Sequence, residues 1–383
     1  MTSPDQPKSE SVSAVAQSVS WRRLGTTVAT TVVLLLGWES YARTFAGVGT
    51  GARVVGHVVQ DASNNDDLAR TLSELPSSRV ATILVLGSSQ VHSVKDEEDF
   101  SPLAFPFRLR GPESPAGDEL ILDLSGPGQQ VMESMAIQLG SRTDLGASAV
   151  VLGVGLFSML SSDIRPALHS AVDGTLIRAE LLAASQAGLS QRAQQLLLER
   201  LSLPEARGVR DSTIQERADS RLESLLGPRL AILGNRRAMK FRLIDQPIRR
   251  DAIQFIQRRR GAIRTARTYQ IGEAYEVSLA AIEAMAASAS LKRVPFILVL
   301  LPFERTRSPS PYSPETAARV AADMREVSQR LGFRLLDLTS VLGPEYFGLY
   351  SDGSPDGLHF RGGGHEIVGR SVAAELAELL RTP

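Results

Sequence analysis

Five short apolar runs, each followed by turn-forming residues, mark the hydrophobic pattern beyond residue 80. They are 81–86, 120–124, 149–154, 295–301 and 333–338. Nearly continuous apolar runs of this length are typical of strands in a parallel sheet that helices cover on both faces. Between the runs, residues such as Val131, Met135 and Leu139 recur at helical spacing, and Ser313 and Pro314 mark the start of another helix. Strands that alternate with helices predict a doubly wound α/β fold with a five-stranded parallel sheet.

A longer uncharged run, 24–38, lies near the N-terminus. Trp21, Arg22 and Arg23 precede this run, Trp38 is its last residue, and Tyr41 follows it. As a helix, the stretch from the first to the last aromatic residue is about 30 Å long, which matches the hydrocarbon layer of a membrane. Aromatic residues at both ends and arginines on one side predict a transmembrane anchor with the rest of the chain outside the cytoplasm. A signal peptide cleaved near 40–42 and a buried core helix are the alternatives.

These patterns divide the chain into six parts. They are a disordered cytoplasmic tail (1–20), the transmembrane anchor (21–42), a linker and helical lead-in (43–80), the first part of the α/β domain (81–159), a helical insertion (160–293) and the second part of the domain (294–383). Within the insertion, 236–267 carries eleven basic residues against two aspartates. This stretch is either a solvated helix face or a basic surface for anionic lipid headgroups or an anionic envelope polymer.

Composition excludes several kinds of chemistry. The chain has no cysteine, so thiol catalysis, disulfides, cysteine–zinc sites and iron–sulfur clusters are impossible. Lysine and arginine number 42 and so do aspartate and glutamate, which makes nucleic acid an unexpected partner. There is no Walker loop, and Gly153-x-Gly155 lacks the third glycine of a dinucleotide-binding loop. We therefore expect neither a metal nor an organic cofactor.

Residues with catalytic potential follow the strands at their expected carboxyl ends. Ser89 lies in a Gly-Ser-Ser-Gln turn after the first run, where the free amides of a helix start can stabilise an oxyanion. Gly126 and Gly128 follow the second run, and glycine lets the backbone approach a ligand closely. Asp356 precedes His359 by three residues, and a nearby carboxylate can hold a histidine in the tautomer of a general base. Together these positions predict nucleophilic chemistry at one edge of the sheet.

In this combination the sequence resembles the SGNH (GDSL-type) hydrolases. The resemblance covers 81–156 and 294–380. It implies that Ser89 is the nucleophile, that His359 is the general base and that Asp356 orients this histidine.

The resemblance also implies an oxyanion hole built from the backbone amides of Ser89 and Gly128, with Gly126 as the alternative to Gly128. Two features depart from the family pattern. Ser88 occupies the position of the family's aspartate, and the stretch 153–158 lacks the asparagine of the third block, for which Ser158 is a weak substitute. His92, three residues after the serine, lacks a nearby acid that would orient it, and we expect it at the surface.

The N-terminal span, the Gly-Ser-Ser turn and the late Asp-x-x-His together resemble a membrane-anchored branch that includes the D-alanyl-transfer and alginate O-acetylation proteins. This resemblance implies a serine acyl-esterase or O-acyltransferase in the periplasm or at the cell surface. Its substrate would be an acyl ester or a polysaccharide, so that it would act on a glycan or a lipid of the cell envelope. A membrane-bound acyltransferase would be its partner. The alternative is a catalytically silent module that binds or scaffolds an envelope polymer.

Overall fold

In a computed structural model of the protein, the five apolar runs form neighbouring strands of one sheet. The described residues are 21–44, 53–55, 58–60, 82–95, 104–109, 120–126, 128–141, 145–165, 168, 172–202, 271–306, 312–349 and 355–381. Within them the sheet has seven strands: β1 (Arg53–Val55), β2 (Val58–Gln60), β3 (Thr82–Gly87), β4 (Leu120–Asp123), β5 (Ala147–Val154), β6 (Phe296–Leu300) and β7 (Arg334–Asp337).

The strand order confirms the doubly wound topology. It runs β1-β2-β4-β3-β5-β6-β7, and every neighbouring pair is parallel except β1 and β2. The five predicted strands therefore have the flavodoxin-like order, in which the first strand lies between the second and the third. β1 and β2 are an addition at one edge, inside the segment for which the sequence predicts a linker and helical lead-in. Each has only three residues, which is too short for a periodic pattern to show.

The described ranges also contain nine helices. They are α1 (Trp21–Thr44), α2 (Ser89–His92), α3 (Phe105–Arg108), α4 (Val131–Gly140), α5 (Gly174–Ala184), α6 (Gln191–Ser202), α7 (Glu273–Leu291), α8 (Pro314–Leu331) and α9 (Gly362–Arg381). Short 3₁₀ helices occupy Leu156–Met159, Ser185–Ala187 and Pro344–Tyr346, and a separate antiparallel hairpin pairs β8 (Phe347–Leu349) with β9 (Pro355–Phe360).

Both faces of the sheet are buried, as the apolar runs predict. On β3, Leu84 and Leu86 contribute to a core with α4 and α7, whereas Ile83 and Val85 contribute to a second core with α3 and α9. This alternation follows from the two-residue period of a strand. Strands apolar on both sides are stable only where both faces are covered in this way.

The described part of the predicted insertion, 160–293, is mostly helical. Its last helix, α7, is part of the domain itself, because Ala281 and Met285 are fully buried in the core beside the sheet. The second part of the α/β domain therefore begins before the predicted boundary at 294. The arginine-rich stretch 236–267 lies outside the described residues.

The segment predicted as a membrane anchor forms α1. Large apolar side chains along it are exposed, among them Val33 and Leu36. In the described part of the chain, however, no helix is both long and apolar enough to cross a membrane. The anchor therefore stays a prediction, and the tail 1–20 lies outside the described residues.

A fully buried histidine connects three elements beneath the carboxyl edge of the sheet. His365 on α9 accepts a hydrogen bond at Nδ1 from the backbone N–H of Phe105, at 3.2 Å, and donates one from Nε2 to the carbonyl oxygen of Ser93, also at 3.2 Å. Its ring packs on Phe360, with 4.4 Å between the ring centroids. Burial lowers the pKa of His365 to about 3 despite the hydrogen bond to Ser93, so this side chain is neutral.

This buried histidine predicts a defined pH dependence of stability. Between pH 6.5 and about 3, the unfolded chain binds a proton at His365 that the folded chain does not. Its contribution to stability is therefore complete above pH 6.5 and is lost as the pH falls, by up to about 1.4 kcal/mol per pH unit. We expect urea unfolding to show this slope as the difference between the parent protein and His365→Asn, which cancels the titration of all other groups. A difference that stays constant from pH 6.5 to 4 would contradict the neutral histidine.

Candidate functional site

A sharp turn at the end of β3 places Ser89 at the carboxyl edge of the sheet. Gly87 has φ +148°, and a Cβ atom there would lie 2.5 Å from the carbonyl oxygen of Gly153 and 2.6 Å from a methyl group of Val91. Only glycine fits this position. Ser88 is extended, and α2 begins at Ser89, whose side chain is half-buried.

The sequence-predicted serine, histidine and aspartate lie together. Ser89 Oγ is 3.0 Å from His359 Nε2, and His359 Nδ1 is 3.0 Å from Oδ2 and 3.2 Å from Oδ1 of Asp356. A carboxylate accepts the proton of Nδ1–H, so Nε2 carries a lone pair that faces the serine hydroxyl. The serine and the histidine thus meet across 270 residues of sequence.

Asp356 is a buried carboxylate whose two oxygens accept hydrogen bonds from protein groups. It is 1% exposed, and its Oδ1 accepts hydrogen bonds from the backbone N–H groups of Leu358 and His359, both at 3.1 Å. Its Oδ2 accepts a hydrogen bond from Lys95 Nζ at 3.1 Å. Burial alone would raise the pKa of Asp356, but the hydrogen bonds and charge of His359, together with Lys95, hold it below its usual range. The carboxylate therefore stays ionised at neutral pH.

The loop after β4 distinguishes between the two candidate oxyanion glycines. The amide of Gly126 donates to the carbonyl oxygen of Gly87 at 3.1 Å, so this amide already has an acceptor. Gly128 has φ +65°, a left-handed conformation that favours glycine, and the space beside its Cα is open. Of the two glycines, Gly128 alone is compatible with an oxyanion donor.

The substitute donor suggested by the sequence is not available. Ser158 is buried, and its hydroxyl donates to the carbonyl oxygen of Gly155 at 2.7 Å within a 3₁₀ helix. The expectation that Ser158 replaces the third-block asparagine is therefore wrong, because local helix geometry directs its hydroxyl to its own backbone.

A side chain that the sequence reading missed occupies the space beside Gly155. Gln90 is buried, and its Nε2 donates to the carbonyl oxygens of Leu358, at 2.8 Å, and Pro302, at 3.3 Å. A Cβ atom at Gly155 would overlap Gln90 Oε1, so a larger residue has no room there. Gln90 thus ties the helix of the nucleophile to the strand that carries His359.

A second buried polar chain connects α2 with the loop after β4. His92 Nδ1 lies 3.0 Å from Ser125 Oγ, and Ser125 Oγ donates to Asp123 Oδ1 at 2.6 Å. The expectation that His92 lies at the surface is wrong, since its side chain is 1% exposed. Burial raises the pKa of Asp123 to about 7, against hydrogen bonds from Ser125 that lower it. The Asp-x-Ser spacing after a strand, which favours a side chain–backbone turn, is the sequence signal for this network.

Comparisons with known proteins give little help. No family model matches the sequence, and no curated protein matches it. Among solved structures, the lipase/acylhydrolase from Enterococcus faecalis is similar at 13% sequence identity and a TM-score of 0.35, over 78% of this chain and 96% of that chain. In the described ranges, no group of three or more histidine, aspartate and glutamate side chains is placed to hold a metal ion.

The contact between Gln90 and Gly155 predicts non-additive effects on stability. Gln90→Ala removes two buried hydrogen bonds, and Gly155→Ala displaces the same side chain, so we expect each to lower the free energy of unfolding by about 1–3 kcal/mol. In the Gln90→Ala background the overlap is gone, and Gly155→Ala should then cost less than about 0.5 kcal/mol. Urea unfolding of the four proteins measures this coupling. Strictly additive effects would show that the two residues do not share this space.

Proposed function

We propose that this protein is an SGNH-type serine acyl-esterase or O-acyltransferase. The observation that carries this proposal is the 3.0 Å contact between Ser89 Oγ and His359 Nε2, with Asp356 on the other ring nitrogen. A nucleophile, a base and an orienting acid in hydrogen-bond contact are the set that acyl transfer through a serine requires.

In the first half of the reaction, Ser89 Oγ attacks the ester carbonyl while His359 Nε2 takes the hydroxyl proton. The C–O bond to the alcohol then breaks, and the same nitrogen returns the proton to the leaving oxygen. Asp356 stays ionised throughout and stabilises the imidazolium. The product is an acyl group on Ser89.

In the second half, His359 takes a proton from the acceptor hydroxyl, whose oxygen attacks the acyl-serine. The bond between the acyl carbon and Ser89 Oγ then breaks, and His359 returns the proton to Ser89 Oγ. Water as the acceptor gives hydrolysis, and a sugar hydroxyl gives transfer. The proposed substrate is an acyl ester on a glycan or lipid of the cell envelope, and a membrane-bound acyltransferase is the proposed partner.

Charge on the carbonyl oxygen would be stabilised by the backbone amides of Ser89 and Gly128. Loss of one oxyanion donor typically slows an enzyme by about 10²–10³-fold. Since the hydroxyl of Ser158 is bound to Gly155, we expect slower turnover than in an enzyme with a third, side-chain donor. The same observation favours the second candidate function, a catalytically silent module that binds an envelope polymer.

Labelling with a fluorophosphonate probe tests the nucleophile. Ser89→Ala should abolish labelling and acyl-ester turnover, because it removes the attacking oxygen. Ser88→Ala is the matched control, since this neighbouring serine makes no side-chain cap to α2. Asp356→Asn should keep the fold but lower kcat by about 10³–10⁴-fold, since it no longer supports the imidazolium.

The outcomes separate the two candidate functions. Labelling of the parent and of Ser88→Ala, but not of Ser89→Ala, supports the enzyme. A parent protein that binds envelope glycan but takes up no probe supports the silent module instead.

We also propose that the segment 21–42 anchors the protein in a membrane, with the catalytic domain outside the cytoplasm. The support is the uncharged run 24–38 between aromatic residues, with Arg22 and Arg23 on its N-terminal side. Deletion of 24–38 should release the protein from membranes or block its export. A reporter enzyme that works only after export should be active when it is fused after residue 383, and one that works only in the cytoplasm should be inactive there. Soluble, cytosolic protein with the run intact would contradict the anchor.

A further inference from the structure

One charged side chain in the site has no part in the mechanism above. Lys95 follows α2 and is held at three points: its backbone N–H donates to the carbonyl oxygen of Phe360 at 3.0 Å, its stem packs on Gly348, and its ammonium lies 3.1 Å from Asp356 Oδ2. A Cβ atom at Gly348 would overlap the lysine stem, so glycine at that position makes room for it.

The ammonium and the imidazole share one carboxylate oxygen. Asp356 Oδ2 contacts Lys95 Nζ at 3.1 Å and His359 Nδ1 at 3.0 Å, so these two nitrogens lie within about 6 Å of each other. The other oxygen, Oδ1, already accepts two backbone N–H groups. Together these four hydrogen bonds use the lone-pair sites of both carboxylate oxygens.

We infer that Lys95 is a positioning residue that keeps His359 unprotonated to lower pH than Asp356 alone would allow. This inference rests on the proposed function for its catalytic meaning. A carboxylate beside an imidazole favours the imidazolium, and a cation on the same carboxylate offsets that effect. Lys95 at the same time keeps Asp356 ionised and fixed in the orientation that contacts Nδ1.

Other ionisable groups lie on or next to β9 and the elements packed around it. They are His92 on α2, His365 on α9, Glu304 after β6 and Arg361 at the end of β9. His365 is neutral because burial lowers its pKa to about 3, and the Glu304 carboxylate accepts hydrogen bonds from Thr306. All of them are unchanged in a Lys95 variant, so a comparison with the parent isolates the lysine charge.

The experiment is an NMR titration of the full-length protein labelled with ¹³C-histidine, whose chain holds five histidines. The signal of His359 is identified from its loss in His359→Gln. In Lys95→Met, which keeps the stem but removes the charge, we expect the titration midpoint of His359 to rise by on the order of one pH unit. Lys95→Arg should restore the midpoint of the parent. The acidic limb of the pH profile of acyl-ester hydrolysis should move in the same direction.

Lys292→Met is the matched control, because this lysine pairs with Glu180 at 3.0 Å near the start of β6, at the opposite edge of the sheet. In Lys292→Met, the titration midpoint of His359 should equal that of the parent protein. If Lys95→Met does not fold, Lys95→Gln supplies a second neutral variant. Equal His359 midpoints in the parent and the neutral variants would overturn the inference. The NMR readout needs no turnover, so absence of probe labelling would refute the proposed function and leave the test of Lys95 intact.

Discussion

The close approach of β3 and β5 at the carboxyl edge of the sheet determines the geometry of the whole site. Gly87 lies so near the carbonyl of Gly153 that no side chain fits between them. Because the chain can turn there without a Cβ atom, α2 starts directly over the end of the sheet. Ser89, Gln90 and Lys95 follow within eight residues of that turn, and each contacts the strand that carries the histidine. A larger residue at Gly87 would displace all three contacts together.

The contacts between α2 and β9 join parts of the chain that are far apart in sequence. Ser89 meets His359, Gln90 meets Leu358 and Lys95 meets Asp356, with separations of 261 to 270 residues. Such contacts cost the entropy of closing a long loop, so a fold that depends on them forms more slowly than one built from local contacts. The glycines at 155 and 348 belong to the same arrangement, since each leaves space for a long side chain that reaches from the α2 region. The contact between Ser89 and His359 is therefore supported by two further hydrogen bonds to β9, one from Gln90 and one from Lys95.

The sequence predicts the elements with a strong local pattern and misses those defined by neighbours distant in sequence. The five apolar runs identify β3 to β7, and turn residues after them identify the serine, histidine and aspartate. β1 and β2 are too short to show a period, and α7 reads as part of an insertion because its burial depends on contacts with α4 and α6. Gln90 and Lys95 carry no local signal, since their partners lie on β9. His92 reads as a surface residue because its partner, Ser125, is 33 positions away.

The two edges of the sheet are short and, on one side, charged. β1 has three residues, and β7 has four, with Arg334 and Asp337 at its ends. Arg334 pairs with Glu378 at 2.8 Å and Asp337 pairs with Arg325 at 3.3 Å, so charged pairs flank β7. Short edge strands with charged ends are poor templates for another strand. Among the described strands, the short and charged edges thereby limit edge-to-edge pairing of a sheet whose central strands are almost wholly apolar.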